Sequence, residues 1–407
     1  MKRRVVVTGM GIWSCIGQDL QTVTESLRQG RSGIIFDPKR IEYGLQSGMV
    51  GKVPCPDIKP LLPRKFRATM SEEAEYAYMA ARQAFEQAGI DNEYLKENEI
   101  GLIIGAENRA NSICKHSEIM DIRENSMFLD PFSLFKEETS CCSMNLATIF
   151  NIKGINISIS SACVSSSNAL GIGYLLIKEG KQDMILAGGI NFTNLAADAT
   201  YDAIGGLSIN NKNPLHASRP FDTLSDGAIF SEGAAMLFIE DYEHAISRNA
   251  NILAEIIGFG TFSSAKTDVS HLDSDGMIIS IKRALSDAKI AAADIDYVNA
   301  GALSAPYEDA QEAIALSYFF SKNKTMISST ESITGHEMAM AGASETIYSI
   351  LMMINDFVAP NMNLVKKIDQ AKDLNIVKDI QYTKLNVILN NSLGGGNSYS
   401  SLILRKV

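Results

Sequence analysis

Hydrophobic and polar positions along the chain follow two alternating rhythms. In Ile155-Asn156-Ile157-Ser158-Ile159 every second residue is apolar, the spacing of a half-buried strand. In Ala169-Leu170-Gly171-Ile172-Gly173-Tyr174-Leu175-Leu176-Ile177 the apolar residues recur at helical intervals, and this pattern runs on to Gly180. The opening Val5-Val6-Val7-Thr8-Gly9 reads as a first strand, its apolar part being too short for a secretion signal. Strand and helix patterns alternate along the chain, which predicts an α/β fold.

The pattern also repeats. Ala81-Arg82-Gln83-Ala84-Phe85-Glu86-Gln87-Ala88-Gly89-Ile90 lines up with Ile281-Lys282-Arg283-Ala284-Leu285-Ser286-Asp287-Ala288-Lys289-Ile290, matching at 84/284, 88/288 and 90/290. Each segment is a helix followed by an acidic stretch and a strand, Ile100–Ala106 in one case and Tyr297–Ala302 in the other. A period near 200 means two copies of a large unit rather than a solenoid. The halves are expected to meet near residue 250, with 1–250 carrying the cysteine discussed below and 251–407 carrying His336.

Composition narrows the function. With 407 residues and 46% apolar content the chain can build a large core. No apolar run reaches the roughly 18 residues of a membrane span. The six cysteines (15, 55, 114, 141, 142, 163) form no CxxC pair and no Cys/His cluster, so reduced thiols of a cytoplasmic protein are expected, with no metal. A net charge of −10 argues against nucleic acid as a partner. Gly9-Met10-Gly11 lacks the third glycine and the acidic context of a dinucleotide fingerprint, so no nucleotide cofactor is expected. Met338, Met340, Met352 and Met353 read as core rather than substrate lining.

Two segments carry candidate chemistry. Ser160-Ser161-Ala162-Cys163-Val164-Ser165 places one cysteine on a strand-to-helix turn, among unpaired backbone N–H groups at the positive end of a helix dipole. Both favour thiolate, although a buried structural cysteine is an equal reading of those residues alone. The basic knot Arg64, Lys65 and Arg67 is expected to open a helix that continues through Glu75–Gln87. It reads equally as a solvated helix start or as a docking spot for an acidic partner.

Several strings taken together resemble the β-ketoacyl-acyl carrier protein synthases, the elongating condensing enzymes of the thiolase superfamily. They are Val5–Gly11, Ala162-Cys163, Leu186-Ala187-Gly188-Gly189, Ser218-Arg219-Pro220-Phe221-Asp222, Glu232-Gly233-Ala234, Ser332-Ile333-Thr334-Gly335-His336 and Asn390-Asn391-Ser392-Leu393-Gly394. The resemblance implies a duplicated five-layer α/β/α/β/α fold, a dimer, and an acyl chain carried to Cys163 from an acyl carrier protein. It implies that His336 is catalytic and that phosphopantetheine arrives on the carrier, so that no resident cofactor is needed. It also favours the docking reading of Arg64, Lys65 and Arg67.

Three positions depart from the family pattern. Gly301, in Val298-Asn299-Ala300-Gly301-Ala302-Leu303-Ser304-Ala305-Pro306, stands where the family has a second histidine. Glu331 replaces a lysine five residues before His336, which should raise the basicity of that imidazole. Gly395 replaces a phenylalanine that gates the acyl entrance, and keeps only a backbone N–H. Loss of one oxyanion-type donor costs about 10²–10³ in rate. Decarboxylative condensation should therefore be weakened, while acyl transfer onto Cys163 needs only thiolate and backbone donors. The pattern resembles a chain-length-factor type of subunit, paired with a catalytically complete ketosynthase. The alternatives are an active synthase or acyltransferase, and a structural subunit with an inert Cys163.

Overall fold

The computed structural model describes residues 2–107, 111–265 and 271–407. Its centre is a ten-stranded mixed sheet. In chain order the strands are β1 (Val5–Ser14), β2 (Gly101–Gly105), β3 (Asn156–Ile159), β4 (Met184–Asn191) and β5 (Gly233–Asp241), then β6 (Ala254–Ser263), β7 (Tyr297–Asn299), β8 (Met326–Ser328), β9 (Val387–Gly394) and β10 (Ser398–Arg405). Their spatial order is β8-β7-β9-β10-β6-β1-β5-β4-β2-β3.

That order is the same motif written twice. Outward from the middle, one half reads β1-β5-β4-β2-β3 and the other β6-β10-β9-β7-β8. The senses match as well: two antiparallel pairings followed by two parallel ones in each half. Within the sheet the halves join where Val5, Val6 and Val7 lie opposite Ile256, Glu255 and Ala254.

The helices complete five layers. Two of them, α2 (Ser165–Lys178) and α5 (Ala341–Ile354), touch each other between the two half-sheets and contact both. Every residue of α5 from Ala341 to Met353 is buried, as expected of a helix enclosed on all sides. Outside lie α1 (Glu72–Ala88) on β1, and α3 (Ser274–Ala288) on β6 with α4 (Pro306–Phe320) beside it.

The matched alanines find their explanation here. A Cβ on Gly9 would lie 2.5 Å from the carbonyl oxygen of Ala84, and one on Gly258 would lie 2.4 Å from that of Ala284. The next strand glycines repeat the contact, Gly11 on Ala80 (1.9 Å) and Gly260 on Ser280 (2.2 Å). Each half presses a helix backbone directly onto a strand, and only glycine facing alanine or serine permits that approach.

One sequence expectation changes. Arg64–Arg67 forms its own short helix, and α1 begins separately at Glu72, capped by the Ser71 hydroxyl, which accepts from Ala74 N. The break suits the charges, because α1 then starts with Glu72, Glu73 and Glu75 rather than with three cations.

The two outer edges of the sheet differ. Beyond β8 the chain returns, Ile327 N donating to Asn375 O and Val377 N to Ile327 O. Beyond β3 no strand pairs among the described residues, and Asn156 and Ile157 are exposed. Nearby in sequence, Ile122, Met127, Phe128 and Leu134 are all more than half exposed, and the helix Asn111–Arg123 buries none of its residues. Among the described residues no helix is long and apolar enough to cross a membrane.

Candidate active site

Cys163 lies on the turn between β3 and α2. Its neighbour Ala162 has φ +53°, a left-handed conformation that costs a non-glycine residue of order 1 kcal/mol. Hydrogen bonds hold the turn in this shape. Ser161 N donates to Ser165 Oγ (2.8 Å), and that hydroxyl donates to Ala162 O (2.6 Å). The carboxylate of Glu107, just past the end of β2, accepts from Ala162 N and Ser160 Oγ, both at 2.9 Å. Gly394, ending β9, approaches so closely that a Cβ there would sit 3.2 Å from Cys163 N.

His336 comes from the other half. Gly335 (φ +72°) turns the chain after the short helix Glu331–Thr334, where a side chain would meet Ser231 Oγ at 2.6 Å. His336 N then donates to Ile229 O (2.7 Å), fixing the backbone, and Nδ1 lies 2.6 Å from Glu331 Oε1. Cys163 and His336 line one cavity of about 370 Å³, together with Gly394, Gly395, Glu107 and Phe230. Met338, with φ +50°, is buried in a small core cluster with Leu207, Ala228 and Phe230 and also lines the cavity, so core and lining are not exclusive there. Met340, Met352 and Met353 pack in the central core as expected.

Gly301 is buried and lies outside that lining. A Cβ there would meet Asn391 O at 2.8 Å and Leu393 Cδ2 at 3.1 Å, so the space for a side chain is partly taken. Its N–H donates to Glu312 Oε1 (3.1 Å). The remaining histidines are engaged elsewhere: His116 with Glu137, His216 with Asn363, His244 with Glu240 and Tyr94, and His271 edge-on to Tyr307. Among the described residues His336 is the cavity's one imidazole, and no lysine or arginine lines it.

The surroundings are rich in buried carboxyls instead. Burial, then the charges of Glu337, Asp309 and Glu312, push Glu331 well above the usual carboxylate range. Glu345 rises for the same first reason, reinforced by Glu331 and Glu337. Between Glu331 and Nδ1 there is thus at least one proton. Either partner can supply it: an N–H on Nδ1 donates to Glu331 Oε1, or a protonated carboxyl donates to Nδ1.

A carbon at Gly395 would have nothing within 4 Å, so this stretch of wall is open. Arg64 and Lys65 are exposed and Arg67 half-buried, and none of the three lines the cavity. Glu107 was not foreseen from sequence. Its one signal was an acid directly after a strand, in Gly105-Ala106-Glu107.

A strand-to-helix nucleophile turn and a histidine loop, contributed by the two halves of a duplicated five-layer fold, define a thiolase-like condensing-enzyme scaffold. Residues 2–245 match the family described as Beta-ketoacyl synthase, N-terminal domain, and residues 253–365 match Beta-ketoacyl synthase, C-terminal domain. The chain belongs to the beta-ketoacyl synthase family. It is 35% identical over 408 residues to 3-oxoacyl-(acyl-carrier-protein) synthase 1 of Escherichia coli strain K12, covering 100% of this chain and 99% of that one. A beta-ketoacyl synthase from Burkholderia phymatum STM815 superposes with a TM-score of 0.95 at 30% identity over the whole of both chains. The ishigamide ketosynthase/chain length factor does so with a TM-score of 0.92 at 26% identity, again over the whole of both.

Proposed function

We propose that this chain is a condensation-impaired subunit of type II fatty acid or polyketide synthesis, of chain-length-factor character. It receives acyl groups from an acyl carrier protein on Cys163, in the N-terminal half (1–250), and pairs with a catalytically complete ketosynthase. The observation that carries this reading is the Glu331–His336 contact in a cavity whose described lining holds a single imidazole and no lysine or arginine. Condensation requires negative charge to build on a malonyl thioester as CO₂ leaves, and two donors to hold it. Here one donor is absent, and the buried groups around the other are acids.

Acyl transfer asks less of the site. The Cys163 thiolate attacks the thioester carbonyl, a tetrahedral oxyanion forms, and the backbone N–H groups of Cys163 and Gly395 stabilise it. Collapse breaks the bond to the phosphopantetheine sulfur, which leaves as a thiolate and takes up a proton, while the acyl group stays on Cys163. The phosphopantetheine is substrate, delivered on the carrier. Arg64, Lys65 and Arg67 supply the positive surface that an acidic carrier would meet. The open edge at β3 and the apolar residues of 113–135 supply a surface for a sister subunit.

A second reading has its own support. Full-length identity of 35% to a 3-oxoacyl-acyl-carrier-protein synthase favours an active synthase that carries out decarboxylative condensation through Cys163. One experiment separates the two. The purified chain is given acyl-carrier and malonyl-carrier thioesters, alone and with a sister ketosynthase from the same source. Acyl-Cys163 by mass spectrometry, with β-ketoacyl product appearing only when the sister is present, is the expected result. Product formed by the purified chain alone would establish the active synthase, and absence of any acyl-Cys163 would leave a structural subunit.

A further inference from the structure

Glu107 occupies a position that acyl transfer as described leaves unused. Its Oε1 accepts from Ala162 N (2.9 Å) and Ser160 Oγ (2.9 Å) and lies 3.4 Å from Ser165 Oγ. These are the three residues that shape the turn under Cys163, and Ala162 is the strained one. The same carboxylate lines the Cys163 cavity. A second carboxylate, Glu308, lines it as well, with no lysine or arginine among the described lining residues to offset either.

Resting on the reading that Cys163 carries the acyl group, we infer that Glu107 is a specificity-determining residue: it anchors the nucleophile turn and makes the cavity select uncharged acyl thioesters against anionic ones. One oxygen is committed to the turn, so the carboxylate is anchored in the wall of the cavity that Cys163 lines. An acyl group ending in a carboxylate would bring a like charge toward Glu107 and Glu308, with no lysine or arginine among the described lining residues to receive it. A neutral acyl group meets no such opposition. Chains of dicarboxylic character are excluded from Cys163 at the loading step, before any condensation chemistry.

The charge is read most directly with two alkylating reagents of similar size, neutral iodoacetamide and anionic iodoacetate. Their rates at Cys163 are followed by peptide mass spectrometry, which separates it from the other cysteines. Taking the ratio of the two rates cancels the thiolate fraction. In the native chain the neutral-to-anionic ratio should exceed that of β-mercaptoethanol by roughly 3- to 10-fold. Glu107→Gln keeps an acceptor for Ala162 N and should bring the ratio down about threefold or more. High salt on the unaltered chain should narrow it in the same direction, independently of any variant.

The substrate arm compares butyryl- and succinyl-carrier thioesters, which share a four-carbon chain. Butyryl should load onto Cys163, succinyl should not, and E107Q should raise succinyl loading. A native ratio equal to that of the free thiol, or one unmoved by both E107Q and salt, would overturn the inference. If neither thioester loads while the reagent ratio behaves as described, the acyl-transfer reading has failed and the assignment of the charge to Glu107 stands.

Discussion

Glu331 Oε1 lies 2.6 Å from Nδ1 of His336, with both side chains buried. A hydrogen-bonded acid thus sits on the rear nitrogen of the one imidazole among the described residues that line the cavity. The ring is held firmly, yet among the described residues lining the cavity no second imidazole and no lysine or arginine joins it in stabilising the negative charge that grows in front of it. Release of CO₂ from malonyl-carrier by this chain should therefore be about 10²–10³ slower than by a two-histidine sister. Gly301→His alone should recover little, because its Cβ would crowd Asn391 O and Leu393 while Glu331 stays in place. The double variant Gly301→His, Glu331→Lys should recover about tenfold or more. A native rate equal to the sister's would refute the account.

The buried acids make a second outcome measurable. Burial lifts Asp309 to about 7 and Glu312 to about 8, and raises Glu331 and Glu345 in the same direction. The folded chain thus binds these protons more tightly than the unfolded one. Their stabilisation is complete at or below the ordinary carboxylate range and is lost as pH rises through the folded values. Each tenfold gain in proton affinity on folding is worth about 1.4 kcal/mol. Thermal midpoints should fall between about pH 5 and pH 8. Glu312→Gln keeps an acceptor for Gly301 N and Asn391 Nδ2 but cannot titrate, and should flatten that slope. A slope of opposite sign would contradict the assignment.

Duplication can be tested by symmetry. Gly11→Ala would set a methyl 1.9 Å from Ala80 O, and Gly260→Ala one 2.2 Å from Ser280 O. Both should destabilise by about 1–3 kcal/mol, since helix and strand must be pushed apart. Denaturant titrations should give the pair similar losses. A benign Gly260→Ala beside a damaging Gly11→Ala would show that the repeat does not extend to packing.

In the proposed function, carrier docking is assigned to Arg64, Lys65 and Arg67. Reversing Arg64 and Lys65 to Glu should weaken carrier binding about tenfold at low salt and remove most of its salt dependence. The acylation of Cys163 by a small, carrier-free thioester should be unchanged, because none of the three residues lines the cavity. Equal loss with both donors would point to a folding defect instead.

Much of this was legible in the residues. Alternating periodicity gave the fold class, and the alanines at 84/284 and 88/288 marked the repeat, because helix-on-strand contact at Gly9 and Gly258 demands small residues. Cys163 and His336 were recognisable from their strings. Other features depend on distances that no local pattern encodes. Glu107 meets the turn at Ala162 because the sheet places β2 beside β3, although some fifty residues separate them in the chain. Met338 differs from Met340 through its left-handed backbone. The break after Arg67 was hidden because helical spacing continues across it, and the Ser71 cap decides the matter.

The unequal rims of the sheet carry one more implication. The chain seals β8 with its own Asn375–Val377 and, among the described residues, leaves the ladder of β3 unpartnered, so each molecule owns one adhesive rim and one blunt one. Growth by strand addition is then self-terminating. Under the proposed pairing a single neighbour would consume the available ladder, giving a closed pair rather than a filament.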